Sequence, residues 1–423
     1  MKGEGRIRGV AVFVFVVSLI GFASAEDLLS EDLLSEDEEL DFEVDETHSS
    51  EQGNAWYEAA LRLSFEQALV QGDDLEQLRS SARLEYEQAP WQGGYVKFDY
   101  RYRYFWSSDE LARDTNSAYG KGRLQDAWVQ QTSEHCNAKL GRQQVFWGAV
   151  EGTFAVDVIS PFDFTENLLT DFSSIRLSQD MLNIECFVDQ SQWQVFFQPR
   201  ATIDQIRHKN NAALEALEST LNEEWGLRYQ RSWTGFDVSL MYARLYGNTP
   251  VPVLDPNPTL HVPRFDFYGF STAWALGRLL LELDLGFKQD QLKSLTGERE
   301  NRWEAALGFE YTTAANHQWN GGVWSYESSE LDAPQNSIRR ESLTLGWRNS
   351  YLNDDLSMSL LGNYLPDQGD SNATLQGQYK WDDYWTLTNA LGYSDISGNT
   401  DSSTNTLLVT SGWLATLMAK VQF

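Results

Sequence analysis

The feature that most constrains the fold is an alternation of apolar and charged residues in segments of about ten residues. It is clearest at 95–106, where aromatic residues such as Tyr100 alternate with charges such as Arg101, and it recurs at 278–288 and 303–311. A period of two places successive side chains on opposite faces of a β-strand. Charges on one face cannot meet lipid, because each costs about 2–4 kcal/mol at the bilayer midplane. A wide, water-filled barrel lumen is therefore the simplest place for them.

The alternation predicts an all-β fold, a transmembrane antiparallel up-and-down β-barrel. Most of the predicted segments have about the 9–11 residues that a tilted membrane strand needs. Eighteen strands are predicted, near 54–66, 78–88, 94–106, 122–131, 137–147, 180–189, 192–199, 223–231, 235–246, 265–275, 278–288, 302–312, 317–327, 339–349, 355–364, 372–381, 384–393 and 408–423. The segments 122–131, 192–199 and 317–327 alternate least clearly, so sixteen strands is the alternative. Short connections alternate with mostly long ones, which is typical of such barrels with both chain ends in the periplasm.

The first residues have the pattern of a secretory signal peptide. Lys2, Arg6 and Arg8 precede an apolar run at 9–23, and small residues lead to a cleavage site after Ala25. The run is short for a membrane-spanning helix, which needs about 20 residues, although an uncleaved anchor is the alternative. We therefore divide the chain into a signal peptide (1–25), an acidic leader (26–53) and a barrel (54–423). This division predicts export to the outer membrane of a Gram-negative bacterium.

Charge and composition narrow the possible partners. The net charge is −30, and no basic stripe is present, so the chain is not expected to bind nucleic acid. A content of 13% aromatic residues, with 16 Trp, fits a wall that faces outer-membrane lipid on one side. Twelve acidic residues lie between 26 and 46, and such a block is typically solvated and disordered. The alternative is that this leader docks to a periplasmic partner.

The two cysteines of the chain fall on neighbouring predicted strands. Cys136 begins one strand, and Cys186 lies near the same end of the next. Antiparallel neighbours can bring Cα atoms within the 4.4–6.8 Å typical of disulfides, and export permits oxidation. Both a cross-strand disulfide and two unpaired thiols remain open from the sequence.

The most distinctive internal segment is 140–164. It contains Gly141-Arg142-Gln143, Trp147-Gly148 and Glu151-Gly152, followed by Asp157, Pro161 and Asp163 in a D-x-x-x-P-x-D element. This pattern resembles a family of proteobacterial outer-membrane barrels of unknown function, and a GRQ element also occurs in alginate-export barrels. The resemblance covers about 25 residues. It implies traffic of hydrophobic or amphiphilic molecules, because that family is associated with lipid-exporting membrane pumps.

The long connection 148–179 is rich in apolar residues for an exposed loop, so we expect it to fold into the lumen. There it would either constrict a pore or form a structural plug. Its acids would face a basic wall and set a transverse field across the constriction. The predicted loop residues are Arg142, Gln143, Trp147, Glu151, Asp157, Asp163, Glu166 and Asp171, and the basic wall residues are Arg62, Arg83, Lys97, Arg101 and Arg103.

The chain ends in an amphipathic strand whose last residue is Phe423. A terminal strand of this kind resembles the signal that the barrel-assembly machinery recognises in outer-membrane proteins. Phe423 is therefore a candidate assembly signal as well as a lipid-facing residue.

Enzymatic activity is not expected. The five histidines form no Ser/His or Asp/His pattern, and we recognise no metal signature and expect no cofactor. The predicted function is a porin-like channel that passes a small or amphiphilic solute across the outer membrane. The alternative is a non-conducting barrel that serves as the outer-membrane partner of an export system for lipids or other hydrophobic compounds.

Overall fold

The computed structural model describes residues 60–72, 76–108, 118–150, 152–163, 175–205, 211–253, 259–292, 297–330, 337–396 and 412–423. The predicted signal peptide, acidic leader and first barrel residues (1–59) lie outside these ranges and stay predictions. No helix among the described residues is long and apolar enough to cross a membrane.

Eighteen antiparallel strands close into one barrel, which confirms the predicted fold class. The first nine strands are β1 (Ala60–Gly72), β2 (Glu76–Gln88), β3 (Gly94–Ser108), β4 (Tyr119–Thr132), β5 (Cys136–Gln143), β6 (Gln179–Val188), β7 (Ser191–Gln198), β8 (Glu224–Trp233) and β9 (Phe236–Tyr246). A two-stranded hairpin, β10 (Val251–Val253) and β11 (Thr259–His261), comes next. The other nine barrel strands are β12 (Arg264–Leu276), β13 (Leu279–Leu292), β14 (Arg299–Thr312), β15 (Gln318–Glu330), β16 (Ser337–Tyr351), β17 (Leu356–Leu365), β18 (Asp370–Lys380), β19 (Trp385–Asp395) and β20 (Gly412–Gln422). One helix, α1 (Asn211–Glu218), lies between β7 and β8.

Each barrel strand pairs with its neighbours in sequence, and β20 pairs with β1 to close the circle. The predicted short connections all lie at one end of the barrel, at 89–93, 133–135, 189–190, 234–235, 277–278, 313–317, 352–355 and 381–384. The longest connections, 144–178, 199–223 and 247–263, lie at the other end. We call these the short-turn end and the long-loop end.

The two faces of the wall follow the predicted alternation. On β3, Tyr100 and Tyr102 are exposed on the outer face, whereas Asp99, Arg101 and Arg103 are buried on the lumen face. Large aromatic side chains are exposed near the short-turn end, where barrels carry an interfacial girdle: Trp91, Trp233, Trp274, Trp381, Tyr384 and Trp385.

The strand boundaries differ most from the prediction at the ends of β1, β5 and β13, and β13 runs to Leu292 rather than residue 288. β1 runs to Gly72 rather than residue 66, because Val70 turns inward and packs on Ala390 and Leu414. The lumen face of this strand end, formed by Ala68 and Val70, is therefore apolar, whereas Gln67 and Gln71 lie on the outer face, so the alternation expected of a membrane strand is lost here. β5 ends at Gln143 rather than residue 147, because the chain leaves the wall there and enters the lumen.

Candidate functional site

The connection 144–178, here called the lumen segment, leaves β5 and packs against lumen-facing residues of the wall. Its first anchor is Trp147, which is 2% exposed. The Trp147 ring packs on Phe196 of β7 and Phe267 of β12, with centroids 5.5 and 6.4 Å away. Its Nε1–H donates to Gln194 Oε1 of β7 at 2.9 Å, which satisfies the indole donor in a buried site.

The second anchor is a carboxylate of the wall that binds the backbone of the lumen segment. Asp284 of β13 is 1% exposed. It accepts hydrogen bonds from the backbone N–H groups of Ala149 at 3.1 Å and Val150 at 3.0 Å, and from the hydroxyl of Ser271. A buried carboxylate that accepts several donors is stabilised, so Asp284 fixes the path of the segment along the wall.

Two glycines allow this close approach. Gly148 has φ of +113°, and a Cβ there would lie 2.8 Å from Val156 Cγ2 and 3.0 Å from an Asp284 carboxylate oxygen. On the wall, a Cβ at Gly286 of β13 would lie 2.1 Å from the carbonyl oxygen of Ala155. In the WG dipeptide of the sequence motif, Trp147 is thus a buried anchor, and position 148 has a backbone conformation and surroundings that only glycine fits.

The lumen segment reaches opposite sides of the barrel. Phe154 lies edge-on to Trp324 of β15, with ring centroids 6.2 Å apart. Asp163 forms ion pairs with Lys121, at 2.9 Å, and with Arg123, both on β4. Eight barrel strands (β5–β9 and β12–β14) separate β4 from β15 in one direction round the barrel. Eight strands (β16–β20 and β1–β3) also separate them in the other direction, so β4 and β15 lie opposite each other. The segment therefore bridges the lumen across its diameter.

An ion pair holds the two limbs of the lumen segment together. Arg176 binds Asp157 through two hydrogen bonds, one of them 2.9 Å long, and its guanidinium lies 4.6 Å from the ring centroids of Phe146 and Phe162. The backbone N–H of Asp163 donates to the carbonyl of Ile175 at 2.6 Å. Asp157 is thus paired inside the segment rather than with the wall.

Asp204 connects the lumen segment to the neighbouring long connections. This side chain is 3% exposed and accepts from the backbone N–H of Phe162 at 2.8 Å and from Thr249 Oγ1 at 2.6 Å. Asn248 donates in turn to the carbonyl of Val158 at 3.3 Å. Burial raises the pKa of Asp204 to about 6, although both hydrogen bonds to its carboxylate oppose the rise.

The other predicted loop residues have different surroundings. Gln143 is buried on the lumen side of β5, and its amide donates to the carbonyls of Lys139, Gly141 and Met181. Arg142 donates to the carbonyl of Leu124 and lies 3.7 Å from Asp180. The predicted site residues Glu151, Glu166 and Asp171 lie outside the described residues.

The predicted basic wall lies together on β1–β3, and most of its described ion pairs are within the wall. Arg83 binds Asp99, and Lys97 lies 3.3 Å from Glu87. Arg101 and Arg103 are buried, and Arg101 pairs in register with Arg83 on one side and Arg123 on the other. Arg62 is exposed and in register with Glu85. Among the described carboxylates of the segment, Asp163 meets the wall, one strand further on, at β4.

The structure joins Cys136 and Cys186 in a disulfide between β5 and β6, with Cα atoms 4.1 Å apart. The bond lies at the short-turn end of the two strands that carry the lumen segment.

At the end of the last strand, the backbone of Phe423 forms two hydrogen bonds with the backbone of Leu63 of β1, of 3.0 and 2.8 Å. Its ring lies 6.1 Å from that of Tyr384 and is exposed on the outer surface.

The described histidines have ordinary structural surroundings. His135 lies in a short turn, His261 contacts Thr259 on the small hairpin, and His317 accepts from the indole of Trp347. His48 and His208 lie outside the described residues. Within the described ranges no group of three or more His, Cys, Asp or Glu side chains is placed to hold a metal ion.

Sequence reasoning missed the wall residues that receive the lumen segment: Lys121, Arg123, Gln194 and Asp284. Each occupies a lumen-facing position of a strand, so the alternation places it inside the barrel. No signal in the sequence selects these four among the many polar lumen residues, because the selection depends on the path of a connection without regular structure.

The fold resembles solved outer-membrane barrels. Pseudomonas aeruginosa OccD3 (OpdP) superposes with a TM-score of 0.53 at 11% identity, covering 87% of this chain and 91% of OccD3. Acinetobacter baumannii OccAB1 gives 0.52 at 10% identity, covering 89% and 99%. The outer membrane protein OpdK of P. aeruginosa gives 0.52 at 9% identity, covering 86% and 99%. No protein-family profile and no curated protein sequence matches the chain.

Identities of 9–11% establish a shared fold and nothing finer. The fold is an eighteen-stranded barrel of the outer-membrane type, which supports the predicted location in a bacterial outer membrane.

Proposed function

We propose that the protein is a porin-like channel of the outer membrane, whose lumen is narrowed by the lumen segment. The observation that carries this proposal is the contact of one segment with β4 and β15, at opposite sides of the barrel. A segment that bridges a water-filled lumen leaves solutes only the space beside it. The solute is therefore small, or amphiphilic and narrow in cross-section.

The two sides of the segment carry different excess charges, although each side also holds paired counter-charges: Asp99 binds Arg83 on β2–β3, and Lys288 and Arg302 pair with Glu304 on β13–β14. Arg83, Arg101 and Arg123 form one cross-strand row on β2–β4. On the other side, β13 and β14 carry four buried lumen carboxylates: Glu282, Asp284, Glu300 and Glu304. Such opposed charges produce a transverse field that orients dipolar solutes and selects by charge. This arrangement favours transport of a polar or charged solute group.

Planar-bilayer recordings test the constriction. Deletion of 150–172 removes both the contact of Phe154 with Trp324 and the ion pairs of Asp163 with β4, so we expect larger single-channel conductance and weaker ion selectivity than in the intact chain. As a control, Pro366→Ala with Asp367→Ala alters a short connection at the same end and should leave conductance unchanged. A deletion variant that folds and conducts like the intact protein would contradict the constriction.

The same bilayer recordings also test the alternative function, a non-conducting barrel that serves as the partner of an export system. The acidic leader favours docking to a periplasmic component of an export system for lipids or other hydrophobic compounds. Absence of channels from both the intact chain and the deletion variant, with both correctly folded, would favour this non-conducting role. In either role the barrel faces outer-membrane lipid and is inserted by the barrel-assembly machinery, and neither role requires enzymatic chemistry.

A further inference from the structure

A recess of about 140 Å³ lies between the lumen segment and the wall formed by β8, β9 and β12. The backbone of Gly148 and Ala149 closes it on one side. On the other side the wall contributes side chains that include Arg228, Gln230, Asp237, Ser239, Ser271 and Ala273.

The recess exists because the wall side chains at its centre are small. Gln230 of β8 is in register with Ser239 of β9, which is in register with Ser271 of β12. In the parallel row nearer the short-turn end, Asp237 is in register with Ala273. Because the side chains in these adjacent rows end in small hydroxyl and methyl groups, they leave the polar space of the recess. Trp147 and Asp284 hold the lumen segment above it.

Arg228 lies at the edge of this recess without a partner. Its guanidinium makes no hydrogen bond or ion pair with the described residues, and its Nε is fully buried. Glu185 acts on it only through longer-range attraction. A guanidinium carries five donors and stays charged in proteins, so a partly buried one requires an anion or ordered water.

A second unpaired charge of opposite sign lines the same recess. Among the described residues, the Asp237 carboxylate has no hydrogen-bond or ion-pair partner, although its backbone carbonyl accepts from Thr272 at 2.8 Å. No ion pair joins Asp237 to Arg228, and their strand positions explain this. Arg228 is in register with Met241, four residues from Asp237 along β9, which is about 13 Å at 3.3 Å per residue.

The third charge nearby is already satisfied. Both oxygens of Asp284 accept hydrogen bonds from the segment backbone, and Ser271 donates to the same carboxylate. Within the part of the chain that the structure describes, the recess therefore presents one unpaired cation and one unpaired anion, separated along the strands, with hydroxyl and amide groups between them.

We propose that this recess binds a small zwitterion, a solute whose carboxylate pairs with Arg228 and whose ammonium pairs with Asp237. The proposal rests on the channel function, since it places a solute subsite in the lumen beneath the constriction. At about 30 Å³ per water, the recess holds about four to five waters, which suits an amino acid of a few heavy atoms rather than a drug-sized molecule.

Binding to the full-length, folded protein in detergent tests the proposal without requiring conduction. The probe is 4-aminobutanoate, and butanoate and butylammonium are single-charge comparators of similar size. We expect calorimetry to show at least tenfold tighter binding of 4-aminobutanoate than of either comparator. Arg228→Gln and Asp237→Asn should each weaken it by about tenfold to a hundredfold, the range of a charged hydrogen bond. Arg231→Gln is the matched control, because Arg231 is exposed on the outer face of the same strand.

Equal binding of butanoate and 4-aminobutanoate, or an Asp237→Asn variant that binds like the intact protein, would overturn the zwitterion assignment. So would the absence of measurable binding of all three probes. The comparison of probes on the unaltered protein holds even if a variant fails to fold. Bilayer conductance reports separately on the channel: channels without binding refute only the recess, and binding without channels refutes only the channel.

Discussion

At the scale of single residues, Asp204 is the group whose ionisation most directly affects the long connections. It is buried between Phe162 and Thr249, and burial raises its pKa to about 6. The folded protein keeps this proton up to about pH 6, whereas an unfolded aspartate releases it near pH 3.9. The packing of the three connections is therefore most stable below about pH 4 and loses stability as pH rises through 6. A shift of two pKa units corresponds to about 3 kcal/mol.

Hydrogen exchange of the Phe162 amide, corrected for the intrinsic effect of pH, measures this dependence. We expect Asp204→Asn, which keeps an acceptor oxygen without the charge, to protect that amide better than the intact protein at pH 8 and equally at pH 4. Glu223→Gln is the control, because Glu223 is an exposed carboxylate of the same connection. An Asp204→Asn variant with the same pH dependence as the intact chain would refute the role of Asp204.

The residue scale is also where sequence reasoning reaches least far. Alternation correctly assigns Arg101 and Arg103 to the lumen, but it does not say which carboxylate meets which cation. Asp157 forms an ion pair with Arg176 inside the segment, whereas Asp163 forms an ion pair with Lys121 of β4. Each pairing depends on where an irregular chain crosses the lumen, and no periodic pattern in the sequence encodes that path.

At the scale of elements, the disulfide between β5 and β6 supports the two strands from which the lumen segment departs. The bond closes a loop across a sequence separation of 50 residues, so it restricts the unfolded chain substantially. For a loop of this length we expect Cys136→Ser with Cys186→Ser to lose about 2–4 kcal/mol of unfolding free energy. Urea unfolding in detergent, followed by tryptophan fluorescence, measures the change.

Reduction provides the control for this prediction. Dithiothreitol should lower the unfolding midpoint of the intact protein toward that of the double-serine variant and leave the variant unaffected. The prediction fails if the double variant and the intact protein share one midpoint, or if reductant destabilises both equally.

Strand identity was predictable because lipid and water act on opposite faces of every strand. Even the segments with the weakest alternation, 122–131, 192–199 and 317–327, correspond to β4, β7 and β15. The predicted strand ends were wrong where a strand face contacts other parts of the protein instead of lipid or water. Val70 faces an apolar lumen cluster, and Trp147 leaves the wall altogether, so the ends of β1 and β5 were misplaced.

At the scale of the whole molecule, closure of the barrel depends on the pairing of β1 with β20. This seam runs from the register pair Gly72 and Leu414 to Ser64 and Gln422. Phe423 extends it by two backbone hydrogen bonds to Leu63. The sequence predicted that the last strand is lipid-facing, and the even strand count allows it to meet β1 antiparallel, as closure requires.

Deletion of Phe423 separates a structural role from a role as assembly signal. The deletion removes both hydrogen bonds to Leu63 and the ring beside Tyr384, so we expect less folded barrel in the outer membrane, measured by heat-modifiable gel mobility. Phe423→Tyr keeps the ring and the backbone and is expected to assemble normally. Refolding of the purified chains in detergent decides the cause: a defect only in cells indicates recognition by the assembly machinery, whereas a defect in both indicates the seam. Normal assembly of the deletion variant in cells would refute both roles, because no step would then depend on the terminal residue.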